Sequence, residues 1–211
     1  GYTLADFSVI ADAVTTPLQA VHRAEVGEGD FVIVNGTGGV GTYAVQIAAA
    51  RGAKVLGIDV NADRLNPLLE HGAAAVLDIT DLEFKDLRAA VRWHAAELGF
   101  ERHSWKIFEC SGAPAGQETA FGLLVPAATL AIVGFTPQRV NVRLSNLMAF
   151  DATAFGSWGC PPQLYPKAVE LVASGRISLL PFICTMPLSD IAEAFAITDE
   201  AKEAGRVILI P

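Results

Sequence analysis

Gly36, Gly38 and Gly41 fall within the six residues Gly36-Thr37-Gly38-Gly39-Val40-Gly41, and Asp59 follows eighteen positions after Gly41. Glycines at this spacing let a backbone turn sharply and approach a phosphate closely. A carboxylate beyond them can accept hydrogen bonds from sugar hydroxyls. These residue types together suit a nucleotide, with phosphates on backbone amides and a ribose on the acid. Glycine-rich turns are common, so the flanks decide the matter. Four β-prone residues, Phe31 to Val34, lead into the turn. Thr42–Arg51 has a helical pattern closed by Gly52, and Lys54–Ile58 is a second apolar run ending on Asp59. Strand, glycine turn, helix, strand and acid in this order predict a dinucleotide-binding βαβ unit. Gly36 allows the exit from the strand, Gly38 the approach of a pyrophosphate, and Gly41 close packing of the helix. The helix then points its amides and its positive dipole end at the phosphates.

The acid also bears on which cofactor is bound. A carboxylate at Asp59 can accept both hydroxyls of an adenosine ribose and repels a 2′-phosphate. The next residues, Val60 and Asn61, bring no arginine to offset that repulsion. NAD(H) is therefore expected rather than NADP(H).

Composition limits the alternatives. At 211 residues the chain can bury one full domain core, with part of another. Its net charge is −8 and no basic run exceeds two residues, which argues against nucleic acid as a partner. The uncharged stretch from Thr119 to Pro137 carries Gly122, Pro126 and Gly134, so it reads as helix then strand and not as a membrane span. Cys110, Cys160 and Cys184 are scattered, with no CxxC, and suit reduced thiols in a cytoplasmic protein. The hydrophobic fraction of 52% suggests apolar surface meant for a partner.

Along the chain, residues 4–24 carry a helical apolar period that Pro17 is expected to break or kink. Further strands are read at Ala75–Ile79, Lys106–Glu109, Thr129–Val133 and Thr153–Gly156. Helices are read at Phe84–Leu98, Gln117–Leu124 and Leu164–Ser174. This alternation predicts an α/β fold, a Rossmann-type doubly wound sheet of six parallel strands with helices on both faces. Three regions follow: a linker helix region over 1–26, the dinucleotide domain over 27–177, and a tail over 178–211. In the tail, Ser189–Thr198 reads as a helix, Ala201–Gly205 as a polar turn and Arg206–Ile210 as a strand. Nothing before residue 27 offers that last strand a partner, so a missing segment is expected.

The order of the blocks Asp12-Ala-Val-Thr-Thr-Pro17, Gly27-Glu-Gly-Asp30, the glycine turn, Asp59, His71-Gly-Ala73, Glu109-Cys-Ser-Gly112, Val133-Gly-Phe135 and Ala204-Gly-Arg-Val207 resembles the zinc-type medium-chain alcohol dehydrogenases. The resemblance covers essentially the whole chain. It implies that a separate GroES-like catalytic domain precedes this one and that the tail returns to complete it. It also implies a cofactor, NAD, and a zinc ion completed by residues outside this chain. The segments 105–112, 119–124, 143–150 and 158–160 are similar to 6-hydroxycyclohex-1-ene-1-carbonyl-CoA dehydrogenases, which implies a cyclic hydroxyacyl-CoA substrate.

Carried over position by position, the resemblance implies the following roles. Asp12 stands where the family places a zinc ligand, with a solvated or capping carboxylate as the alternative. Thr16 approaches the nicotinamide amide, or bonds the backbone locally. Arg64 lies over the adenosine ribose, or is a surface arginine. Ser111 and Gly112, then Val133, Gly134 and Phe135, then Gly156, Ser157 and Trp158 close three successive strands and meet the nicotinamide half. Gly39 and Val40 complete the phosphate turn, and Arg206 pairs with the pyrophosphate, or is exposed. His22, His71, His94 and His103 show no metal-ligand spacing and read as solvent-facing or packing residues. Cys160 reads as a buried thiol rather than a nucleophile. Arg88, Arg92, Arg102 and His103 read as a polar helix face, with an acidic ligand as the alternative.

The expected activity is oxidation of a secondary alcohol to a ketone, with hydride passing to NAD and zinc polarising the hydroxyl. The expected partners are an alcohol or acyl-CoA substrate and a second copy of the chain, as dimer or tetramer, with neither nucleic acid nor membrane. Catalytic residues are expected outside this chain. Three rivals stay open: a zinc-free enone reductase of the same superfamily, a methyltransferase, and a non-catalytic nucleotide-sensing domain.

Overall fold

The computed structural model describes residues 1–199 and 205–211. The chain runs α1 (Leu4–Phe7), α2 (Thr15–Arg23), β1 (Phe31–Asn35), α3 (Gly41–Ala50), β2 (Lys54–Asp59), α4 (Ala62–Leu65), β3 (Ala73–Asp78), α5 (Phe84–Glu97), β4 (Lys106–Glu109), α6 (Pro114–Gly122), β5 (Thr129–Ile132), α7 (Ser145–Ala149), β6 (Thr153–Gly156), α8 (Tyr165–Ala173), β7 (Ile183–Pro187), α9 (Ile191–Asp199) and β8 (Arg206–Ile210). Six strands form one parallel sheet in the order β3-β2-β1-β4-β5-β6. This is the doubly wound order expected from the alternating pattern.

β1 shows why the sheet must be covered on both sides. All five of its residues are buried. Val32 and Val34 point into one core with Leu18, Val21, Tyr43, Ile47 and Leu171, drawn from α2, α3 and α8. Phe31 and Ile33 point into the other with Leu87, Val91, Ala120 and Phe121, drawn from α5 and α6. Successive side chains of a strand alternate between faces, so a continuous apolar run needs two cores. Each large side chain fully buried this way contributes about 1.5–3 kcal/mol relative to exposure.

Residues 4–24 do not form one interrupted helix. Thr3 caps α1 in a reciprocal pair with Asp6, a 3-10 turn covers Ser8–Ala11, and α2 begins afresh at Thr15. Pro17 neither breaks nor kinks α2. It is the third helical residue, where the missing N–H has no intrahelical partner to lose. Arg23 at the end of α2 holds the sheet edge, donating to the Gly156 carbonyl at 2.5 Å and stacking 4.3 Å over the Phe155 ring.

The tail corrects a second expectation. β8 is not unpaired; it pairs in parallel with β7, from Ile183 opposite Arg206 to Pro187 opposite Ile210. The strand at Ile183–Pro187 is hard to read because prolines flank it and Cys184, Thr185 and Met186 show no clear alternation. Ser189–Thr198 is a 3-10 turn over Leu188–Asp190 followed by α9. Of the expected turn at Ala201–Gly205, all but Gly205 lies outside the described residues. Leu179, Phe182 and Ile208 join the core that contains Tyr43, and the Tyr2 hydroxyl accepts from the Leu179 amide at 3.1 Å. Among the described residues no helix is long and apolar enough to cross a membrane.

Candidate functional site

The strand order reverses at β1, which has β2 on one side and β4 on the other. A crevice must open there at the carboxyl ends of the strands. Two adjoining clefts occupy it, and both are lined by Val40, Cys110 and Ser111.

The first cleft is built on the glycine turn. Gly36 has φ +87°, and a Cβ there would stand 2.5 Å from the Ser111 backbone. A Cβ at Gly41 would collide with the Gly36 carbonyl oxygen. Gly41 therefore does not line the cleft; it lets α3 start tight against the turn. Gly38 differs, since a Cβ there would meet only the Arg64 guanidinium, no nearer than 3.7 Å. That open face, beside a helix start with no side-chain cap, suits a phosphate group. Gly39 and Val40 line the same cleft.

Asp59 ends β2 at the rim of this cleft, 5% exposed. Its Oδ2 accepts from the Thr37 amide at 2.6 Å and the Thr37 hydroxyl at 3.1 Å. Its Oδ1 accepts from the Asn61 amide at 3.0 Å and lies 3.9 Å from the Arg64 guanidinium. A carboxylate offers about four acceptor positions. Three are taken, and the one left is on Oδ1. The resemblance implied Arg64 over a ribose, and the structure puts it between Asp59 and Gly38. An arginine thus stands beside the acid, although Val60 and Asn61 supply none.

The second cleft gathers strand ends that are far apart in sequence. Thr16, Ser111, Gly112, Val133, Gly134, Phe135, Ser157 and Trp158 line it, together with Asp12. Gly156 does not; its carbonyl is held by Arg23. Phe135 and Trp158 are 74% and 87% exposed. Below this cleft lies Glu109, fully buried, a residue that spacing did not single out as a site. Its Oε1 accepts from the Ser111 amide at 2.8 Å, the Gly112 amide at 3.2 Å and, in a short contact, the Ser111 hydroxyl. Its backbone carbonyl accepts from Val133 and Gly134 at 2.9 Å each. One residue therefore ties the ends of β4 and β5 together. Asn35 acts similarly, donating from its buried side chain to the Gly116 carbonyl at 2.7 Å. The only sequence signal for either was a polar residue closing an apolar strand.

Asp12 and Arg206 meet across the two clefts. The Arg206 guanidinium donates to Asp12 Oδ2 in a short contact, and the Thr16 hydroxyl donates to Oδ1 at 3.0 Å. Arg206 also lies against the glycine turn, its Cδ 3.2 Å from where a Gly39 Cβ would sit. As a metal ligand Asp12 stands alone. Among the described residues no three His, Cys, Asp or Glu side chains come together, so the groups present do not make a zinc site by themselves. Cys110 lines both clefts, but loss of solvation, reinforced by the Glu109 charge, pushes its thiol well above the usual range. A thiol held protonated is a poor nucleophile. Cys160 is half-buried rather than buried, because it sits in the loop after β6, and desolvation still shifts its thiol upward. His71 packs edge-on against Phe182 at 5.1 Å, and desolvation lowers His94.

Residues 39–174 match the zinc-binding dehydrogenase family. The chain is 30% identical over 211 residues to galactitol 1-phosphate 5-dehydrogenase of Escherichia coli K12, covering 95% of this chain and 59% of that protein. It is 27% identical over 189 residues to rat (Rattus norvegicus) sorbitol dehydrogenase, covering 88% of this chain and 51% of that protein. The crystal structure of galactitol-1-phosphate dehydrogenase from Escherichia coli superposes with a TM-score of 0.82 at 27% identity, again over 95% of this chain and 59% of the other. The chain thus spans a little over half the length of these relatives. The glycine turn, the strand order and a family match across well over half of its residues establish that the chain belongs to the zinc-binding dehydrogenase family.

Proposed function

We propose that this chain is the cofactor-binding part of an NAD-dependent dehydrogenase that oxidises a secondary alcohol to a ketone. The observation that carries the reading is Asp59, a buried carboxylate at the cleft rim with one acceptor position open beside the bare face of Gly38. A ribose hydroxyl on Asp59 and a pyrophosphate over Gly38 and the start of α3 fit that arrangement. When bound, NAD supplies the nicotinamide ring that takes the hydride. This chain's residues hold the two ends of the cofactor. Asp59 and Arg64 grip the adenosine side, and Arg206 offers its planar fork to the pyrophosphate. Ser111, Gly112, Val133 and Gly134 line the floor on which the nicotinamide half lies, with Thr16 facing it. Arg64 beside Asp59 softens the repulsion of a 2′-phosphate, so the preference for NAD over NADP rests on the acid's own charge.

The substrate class proposed from the named relatives is a polyol or its phosphate. The finer reading, from the segments near residues 105–160, is a cyclic hydroxyacyl-CoA of the 6-hydroxycyclohex-1-ene-1-carbonyl-CoA type. Zinc belongs to the proposal only with Asp12 as one ligand and the others from outside this chain. One observation favours a second reading, a zinc-free enone reductase of the same superfamily: Asp12 is already engaged by Arg206 and Thr16. The regions over 1–26, 27–177 and 178–211 are proposed as linker, cofactor domain and returning tail. A homo-oligomer is proposed from β6, an edge strand among the described residues, and the exposed Leu144 and Met148, and a cytoplasmic location from the three scattered cysteines.

Fluorescence titration of this chain with NADH tests the reading, with NADPH and S-adenosylmethionine as competitors. Saturable binding of NADH, tighter than either competitor, is expected, with no alcohol turnover by this chain alone. Preference for S-adenosylmethionine, or no NADH binding, overturns it. Zinc analysis and turnover of polyols, hydroxyacyl-CoA thioesters and enones by the chain joined to its upstream sequence separate the two readings.

A further inference from the structure

Thr37 sits between two of the phosphate-turn glycines, where any side chain that fits could stand, yet it is 1% exposed and engaged on both branches. Its hydroxyl donates to Asp59 Oδ2 at 3.1 Å, and its amide donates to the same oxygen at 2.6 Å. Its methyl packs over the backbone of β2, 3.4 Å from where a Cβ of Gly57 would be. A β-branched side chain has few χ1 choices, and here both branches agree on one. The consequence falls on the acid. With Oδ2 saturated by Thr37, the remaining acceptor position of Asp59 lies on Oδ1. We infer that Thr37 is a positioning residue for cofactor choice: it fixes the Asp59 carboxylate so that Oδ1 meets the ribose and the charge stays where a 2′-phosphate would come. The inference rests on the proposed binding of NAD at Asp59. A carboxylate held by its neighbours discriminates better than one free to swing aside, because the mobile one escapes the repulsion.

NADH and NADPH titrations of the wild-type chain, Thr37→Val, Thr37→Ser, Asp59→Ala and Thr37→Val/Asp59→Ala test it. Thr37→Val keeps the methyl seat and removes the hydroxyl. It is expected to weaken NADH binding about fivefold, the scale of one hydrogen bond to a charged group acting at second hand, and NADPH binding less. The NADH-to-NADPH preference therefore narrows. Thr37→Ser keeps the hydroxyl and the preference. In the Asp59→Ala background Thr37→Val has no further effect on NADH, which a purely structural role would not produce. Thr37→Ala gives the same readout should Thr37→Val not fold. If Asp59→Ala loses NADH while removal of the hydroxyl leaves the preference intact, the role of Thr37 is overturned and the binding site stands. If Asp59→Ala binds NADH like the wild type, the ribose contact and the inference fall together.

Discussion

The two clefts at the strand ends are built in different ways. The one around Gly36–Gly41 and Asp59 takes half of its lining, and its phosphate turn and acid, from one stretch of chain, residues 35 to 64, with Ile79, the end of β4, α6 and Arg206 closing it. Its key groups are buried and mutually bonded: Thr37 is 1% exposed, Asp59 5%, and Gly36 and Gly41 stand where a Cβ would collide. The other takes residues from around positions 12, 40, 111, 134 and 157, and its outermost aromatics, Phe135 and Trp158, stand in solvent. A site whose key groups share one short segment can be finished largely by local packing. A site made from five distant ones, left open on its outer side, depends on further surface for its final shape. On the proposed binding mode, the adenosine half meets a closely bonded site and the nicotinamide half a floor open on its outer side.

That contrast can be broken or sharpened, beginning with the largest effect. Gly41→Val drives a side chain into the Gly36 carbonyl, and a loss of about 3 kcal/mol or more in stability is expected, read as a large fall in Tm. A melting curve like the wild type's would show that the turn is not packed as described. Asp59→Ala removes a bonded, buried carboxylate. A loss of NADH affinity by more than about tenfold, the weight of a charged hydrogen bond, is expected in a fluorescence titration, with NADPH affected much less. Equal losses for both cofactors would remove Asp59 from ribose recognition. Arg206→Ala takes away a half-exposed cation shared between Asp12 and the turn, so ADP-ribose is expected to bind about fivefold more weakly, the scale of a screened charge pair. An unchanged constant would leave Arg206 a partner of Asp12 alone. Trp158→Ala truncates a side chain in solvent. It is expected to change stability by less than about 0.5 kcal/mol and to leave ADP-ribose binding unaltered. A marked loss in either would mean that the two clefts are not separable.

The helical period over residues 4–24 shows how local pattern can mislead. The apolar spacing is present, but the chain changes to a 3-10 turn and restarts at Thr15, so that Asp12 and Thr16 come to the cleft rim. Pro17 marks the start of a helix as readily as its end, because proline fits the first turn. The tail shows the opposite failure. Arg206–Ile210 is legible as a strand, while its partner Ile183–Pro187 is not, because Thr185, Met186 and Pro187 give no alternation to read. The pairing follows from the βαβ connection through α9 and from the core that Phe182 and Ile208 share with Tyr43.

Glu109 and Thr37 were not legible as site residues for a related reason. Each acts on another residue of the site rather than on open space, Glu109 on the Ser111–Gly112 turn and Thr37 on Asp59. Spacing finds groups whose neighbours in sequence are also their partners in function. It finds supporting groups only when the support is local, and Thr37 reaches Asp59 across 22 positions.

What the amino-acid sequence determined by itself is the βαβ unit and the alternating α/β order behind it. Glycine spacing, apolar period and a terminal acid act within one or two adjacent elements, so their consequences can be worked out from neighbours alone. Only the tertiary structure decided how Asp59 is held, that Arg64 lies beside it, that Arg206 reaches Asp12 from the far end of the chain, and that Gly41 and Gly156 stand outside the clefts. Those outcomes depend on which strand ends the sheet brings side by side, and close packing settles that for the whole domain at once.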